Sequence, residues 1–255
     1  MLQGINIFDF FETKEKRRWN KADVKEYTVV FENGKIPPFI VVTETEALTA
    51  SIRMVNETTN EATPSEVVNT TDSIDGYKII TFPGSDIVSE IEDGYYRIEI
   101  TIAEVIYYSE VFSLVTNPYS LLKFEVYSED ITFAGVHSLP LSDINNIFYL
   151  FWNGISIESE IPEEGEEKPY GDIPLFSTLN IVRTASINGT TQIYRYLSAL
   201  RIFGVNGILK ITVEDEERQI YDSQCEIEND DSYGVTIQIN FKYRELDFVS
   251  VKNEI

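Results

Sequence analysis

Almost every side chain here that could move a proton is a carboxylate: 43 Asp and Glu stand beside one histidine, His137, and one cysteine, Cys225. One imidazole leaves no room for a multi-histidine metal site, and triad chemistry is set aside with it. The remaining catalytic option is a pair of carboxylates, which a glycosidase holds about 5–9.5 Å apart in a cleft. Glu99, Glu110 and Glu125 are the natural candidates on strands, but each sits in an alternating stretch and reads as a solvent-facing member of it. Cys225 cannot form an internal disulfide, and its alternating surroundings make it a small core residue. The chain carries no glycine-rich phosphate loop, paired-cysteine zinc spacing or nucleophile elbow. No enzymatic activity, cofactor or metal is expected.

Binding chemistry offers more. Residues 158–172 hold seven carboxylates and one lysine, broken by Pro162, Gly165, Pro169 and Gly171. Such a segment reads as a solvated acidic loop, and its spacing does not match a calcium loop. Glu163, Glu164, Glu166 and Glu167 are its densest part. Lys14, Lys16, Arg17, Arg18, Lys21 and Lys25 cluster around Trp19, just after the apolar residues Ile5, Ile7, Phe8, Phe10 and Phe11. An apolar segment followed by a charged block is either packed on its own domain or docked into a neighbouring subunit by strand addition. Ile5, Ile7, Phe8, Phe10, Phe11 and Trp19 are therefore the candidate assembly residues. Tyr95, Tyr107, Tyr108, Trp152 and Tyr170 are candidates for a sugar-stacking platform, although core or interface packing explains the same residues.

A formal charge of −23 argues against phosphate-backbone or anionic-membrane binding as the main activity. No run reaches the roughly 18 apolar residues of a membrane span, and the N-terminus lacks a basic segment followed by a hydrophobic one. The expectation is a protein made in a cytoplasm, without sequence-specific nucleic-acid binding and without a membrane.

The positioning elements read as strands. Asn-Gly or Asp-Gly pairs at 33–34, 75–76, 93–94, 153–154, 188–189 and 206–207 favour tight hairpin turns. Short β-branched and aromatic runs lie between them at Tyr27 to Phe31, Phe39 to Thr43, Leu48 to Val55 and Tyr77 to Phe82. After Gly94, Tyr96, Ile98, Ile100 and Ile102 alternate with Tyr95, Arg97, Glu99 and Thr101, so one face must be buried. A tight connection near Glu104 returns the chain as one strand from Tyr107 to Val115. Further strands are expected at Leu121 to Tyr127, Ile147 to Trp152, Ile155 to Glu158 and Ile208 to Val213, the last followed by an acidic turn at 214–217. The one good helical pattern is Thr190 to Phe203, where Ile193, Leu197 and Leu200 recur at spacings of four and three. A closing hairpin is read at Gln219 to Ile227 and Tyr233 to Tyr243. The fold class is all-β, with two antiparallel sandwich- or barrel-like domains, the second flanked by one helix. The boundaries are an N-terminal arm at 1–26, a sandwich at 27–117 and a second β domain at 118–255. Pro118 marks the linker between them.

The run Asp93-Gly94-Tyr95-Tyr96-Arg97-Ile98-Glu99-Ile100, followed by Tyr107-Tyr108-Ser109-Glu110-Val111-Phe112, resembles a pattern in virion proteins of tailed phages that infect Bacteroidetes, including crAss-like phages. The resemblance is strongest over about thirty residues, extends in layout to the C-terminal half, and carries no catalytic residues. It implies a tail, neck-ring or hub component located in the virion and assembled in the host cytoplasm. The implied partners are copies of itself in a ring and other tail, neck or portal proteins. Glu163, Glu164, Glu166 and Glu167 would then face a DNA channel, where acidity keeps phosphates from sticking. The alternative is a carbohydrate- or receptor-binding β-sandwich module.

Overall fold

The computed structural model describes residues 7–13, 26–37, 39–46, 48–72, 77–82, 91–118, 120–127, 146–160, 177–203, 208–213, 216–220, 222–230 and 235–247. The protein is all-β with one flanking helix among these residues. Its strands are β1 (Phe10–Phe11), β2 (Val30–Glu32), β3 (Phe39–Thr43), β4 (Thr49–Asn56), β5 (Glu66–Asp72), β6 (Lys78–Phe82), β7 (Gly94–Ile102), β8 (Val105–Ser109) and β9 (Phe112–Val115). They continue as β10 (Leu122–Tyr127), β11 (Asn146–Leu150), β12 (Trp152–Glu160), β13 (Ser177–Gly189), the helix α1 (Thr191–Phe203), β14 (Ile208–Val213), β15 (Glu216–Ile220), β16 (Asp222–Asp230) and β17 (Val235–Asp247).

Thirteen strands form one mixed sheet, whose path runs β15-β14-β10-β11-β2-β9-β7-β4-β5-β6-β3, with β8 on β7 and β1 on β8. Only β2 and β9 pair in parallel among the described ladders. The large sheet folds over itself. Five strand steps separate β3 from β9 along the path, roughly 24 Å if the sheet were flat. Yet Phe39 of β3 and Phe112 of β9 lie 5.2 and 5.3 Å, centroid to centroid, from the same ring, Phe8. β5 makes the corner, because Glu66 to Asn69 pair with β4 while Thr70 to Asp72 pair with β6. The result is sandwich-like, with Phe31, Ile52, Met54, Ile80, Phe82, Ile98, Ile100, Ile102 and Phe112 nearly inaccessible inside.

Strands from both sides of residues 116–119 share this path, joined where Tyr149 stands opposite Val30. The buried core is likewise contiguous, from Ile7 to Ile237. A second sheet, β12-β13-β17-β16, is built on two strands of 13 residues each, β13 and β17. The apolar run from Ile147 to Trp152 divides between the sheets at Phe151, whose carbonyl accepts from the Asn188 N–H at 3.1 Å. α1 begins where expected. Thr190 caps it, its Oγ1 accepting from the Ile193 N–H at 3.2 Å, and Ile193, Tyr196 and Leu197 turn inward.

Turn chemistry departs from expectation in an instructive way. Gly34 does adopt positive φ, 81°, in the Glu32–Lys35 turn. Gly94 and Gly189 instead supply space: a Cβ would stand 3.3 Å from the Tyr96 ring at Gly94, and 3.2 Å from Ile193 and Ile237 at Gly189. The tightest hairpin, between Ile102 and Val105, uses Ala103 (φ 47°) and Glu104 (φ 69°), both left-handed without being glycine. The pairs at 75–76 and 206–207 lie outside the described residues.

Candidate assembly site

The strand expected from Tyr107 to Val115 is two collinear strands separated by a bulge. β8 and β9 lie on the same edge of β7, but their registers differ by one residue: Glu99 faces Tyr108, whereas Tyr96 faces Phe112. The extra residue falls at Glu110-Val111. Ser109 repairs the ladder there, its buried hydroxyl accepting from the Ile98 N–H at 2.8 Å and donating to the Glu110 carbonyl at 2.7 Å. The bulge also divides the outer edge of this arm. β1 runs antiparallel on β8, with Phe10 opposite Ser109, and β2 runs parallel on β9. The Asp9 carbonyl accepts from the Glu110 N–H at 3.0 Å, and the Val29 carbonyl from the Ser113 N–H at 2.9 Å.

The N-terminal segment is therefore placed by the bulged hairpin and fills the sandwich. Phe8 is buried among Phe31, Phe39, Phe112 and Phe10, at centroid separations of 5.6, 5.2, 5.3 and 6.4 Å. Phe10 stacks on Phe39 at 6.0 Å, and Phe39 on Phe82 at 5.0 Å. Of the candidate assembly residues, Ile7, Phe8 and Phe10 are packed into the chain's own core and Phe11 is half-buried. This is the first of the two arrangements open to an apolar arm, chosen because the gap between the two halves of the sandwich needs those rings. Ile5, Trp19 and the six basic residues around Trp19 lie outside the described residues.

The opposite face of β7 holds charge. Both nitrogens Nε and Nη2 of Arg97 donate to Glu99 Oε1, at 2.9 and 2.8 Å. Arg53, directly across on β4, donates through Nε and Nη2 to Glu99 Oε2, at 2.8 and 2.6 Å. The second ion pair of Arg97 is to Glu57, at 3.1 Å. The side chains of Arg97 and Glu99 are each only 4 % exposed. Burial pushes the Glu99 carboxyl up, but hydrogen bonds and charge from Arg53 and Arg97 outweigh it and hold the group below the ordinary carboxylate range. A carboxylate with both oxygens so engaged is built to stay ionised and fixed, not to exchange protons.

This corrects the reading of Glu99, Glu110 and Glu125 as solvent-facing: all three are buried. Glu125 keeps Lys123 at 3.0 Å, and Glu110 sits in the bulge. Alternation marks which residues share a face, not whether that face meets solvent: Arg97 and Glu99 are buried, while Tyr95 and Thr101 on the same face of β7 are half-buried. At the start of β7, Asp93 accepts from Thr116 Oγ1 at 2.7 Å. Hydrogen bonds from the Thr116 backbone and hydroxyl, with Asn33 beside them, lower its pKa.

The tyrosine platform is divided by the strand pleat. Tyr107 turns into the core opposite Ile100, while Tyr95 and Tyr108 lie half-buried on the charged face. Burial, together with Glu12 nearby, raises the Tyr107 pKa, with a hydrogen bond to Thr45 opposing. The side chains of Trp152 and Tyr170 are outside the described residues. Glu163, Glu164, Glu166 and Glu167 are outside them as well, although the first part of the expected loop belongs to β12, whose Glu160 pairs with Asn180. The acidic turn at 214–217 is also shortened, since β15 starts at Glu216 and pairs with Val213. Among the described residues, no group of three or more His, Cys, Asp or Glu could hold a metal ion, and no helix is long and apolar enough to cross a membrane.

Sequence reasoning missed Ser109, Arg97 and Arg53. Oppositely charged residues at i and i+2, with an arginine on a neighbouring strand, were the available signal. No family model, curated protein or solved structure matches this chain.

Proposed function

We propose that this chain is a structural component of a phage tail or neck, assembled as a multimeric ring around the DNA channel. The observation that carries the reading is the coincidence of the virion-protein pattern with the bulged β7–β8–β9 hairpin. Asp93 ties its base, Tyr96 and Phe112 sit in its core, Glu99 locks it to Arg53 of β4, Arg97 pairs with Glu99 and Glu57, and Ser109 bridges its bulge. Every one of these residues serves the framework, which supports a structural role for the pattern. A net charge of −23 fits the same role, because an acidic conduit repels passing phosphates. Among the described residues the large sheet ends at β3 and β15 and the small one at β12 and β16, edges through which neighbouring copies would pair.

Sedimentation and electron microscopy of the purified chain over a range of concentrations test this. Concentration-dependent rings are expected, with the chain traced between portal and distal tail in a particle reconstruction. A monomer at every concentration that binds sugars on a glycan array would overturn the reading in favour of a carbohydrate-binding module.

A further inference from the structure

We infer that Ile7 to Phe11 is an exchangeable strand, so that in the assembled protein the slot between β8 and the aromatic core of one copy is filled by this segment of a second copy. The inference rests on the multimeric reading and names the element that couples neighbours. Three features support it. The slot exists without the segment: Phe31, Phe39 and Phe112, which surround Phe8, all come from β2, β3 and β9. The segment is held by side-chain insertion and two register pairs, Phe10 with Ser109 and Phe11 with Tyr108, with no hairpin turn tying it in place. Its connection is long in sequence. β1 points toward the Ala103-Glu104 turn, away from β2, so the chain must double back from the level of Tyr108 to that of Ser113, about 17 Å along the arm. Eighteen residues separate Phe11 from Val30, enough to reach up to about 60 Å when extended.

Contacts in the slot are the same whichever copy supplies the strand, so the choice falls to effective concentration. In a ring, neighbouring arms are held close on every side, and exchange links each copy to the next without new contact surface.

The full chain carrying Phe11→Cys and Tyr108→Cys, with Cys225→Ser to remove the native thiol, reads out the donor directly. Positions 11 and 108 are Cα partners, a separation that a disulfide spans. After assembly at high concentration and oxidation, non-reducing electrophoresis is expected to show covalent dimers and higher ladders that rise with protein concentration. Monomer alone at all concentrations overturns the inference. A second measurement inserts a protease site within residues 14–25, nicks the folded chain and adds labelled peptide of residues 3–13. The peptide is expected to replace the native segment, and failure to exchange counts against the slot. The two readings fail separately: a closed covalent dimer without rings sinks the ring and keeps the exchange, whereas rings free of interchain links sink the exchange and keep the ring.

Discussion

The two faces of β7 are stabilised in opposite ways. One face presents Tyr96, Ile98, Ile100 and Ile102 to a core whose centre is the Phe8 ring cluster, where apolar area removed from water supplies the free energy. The other presents Arg97 and Glu99, whose desolvation is offset by Arg53 and Glu57 and by direct hydrogen bonds. The lesson is a division of labour. Apolar burial gives magnitude; a guanidinium matched to a carboxylate tolerates neither slip nor loss and adds a second constraint on register. Arg53 lies opposite Glu99 only in the observed β4–β7 register, and a one-residue slip would turn every side chain over.

Phe8→Ala has the largest expected effect on this contrast. It empties the meeting point of four rings and is expected to cost about 3–5 kcal/mol in denaturant unfolding; a loss below about 1 kcal/mol would mean that the segment is not part of the core. Arg97→Ala is expected to cost about 3 kcal/mol, because Glu99 stays buried with only the half-exposed Arg53 as partner. The double replacement Arg97→Met with Glu99→Leu sharpens the comparison, since it is expected to leave stability within about 1 kcal/mol of the parent. If it costs as much as Arg97→Ala, the network supplies magnitude as well as register.

The two-residue turn carries both faces together. Replacing Ala103-Glu104 with Asn-Gly removes the left-handed cost and is expected to raise stability by about 1 kcal/mol in the same assay. An unchanged midpoint would show that the turn is unstrained.

The smallest effect separates the faces by pH. Glu99 has its pKa depressed in the fold, so its contribution is present above its unfolded value, near 4.3, and is lost as pH falls through the folded value. Tyr96 and Tyr107 have theirs raised, chiefly by burial, so their contribution is full below about 10 and is lost as pH rises through the folded values. Unfolding followed from pH 2 to 11 is expected to show Glu99→Gln flattening only the acid limb and Tyr107→Phe only the alkaline one. An acid limb unchanged by Glu99→Gln would assign acid sensitivity to other carboxylates.

Local pattern in the sequence determined the all-β class, the helix that ends at Phe203, and the strands Phe39–Thr43 and Ile208–Val213. It determined which residues of β7 share a face. These are legible because successive Cβ atoms on a strand point to opposite sides and helical ones recur every 3.6 residues. The strand Ser177–Gly189 was equally open to reading, since Leu179, Ile181, Ala185 and Ile187 alternate, but Arg183 interrupts the pattern. Tertiary structure alone decided that Arg97 and Glu99 on the polar face of β7 are buried, that Phe8 fills the chain's own core, and that one hairpin arm breaks at Ser109 to accept two different strands. Alternation is a property of neighbours in the chain; burial, bulges and strand partners depend on which distant segments arrive, and no local spacing encodes that.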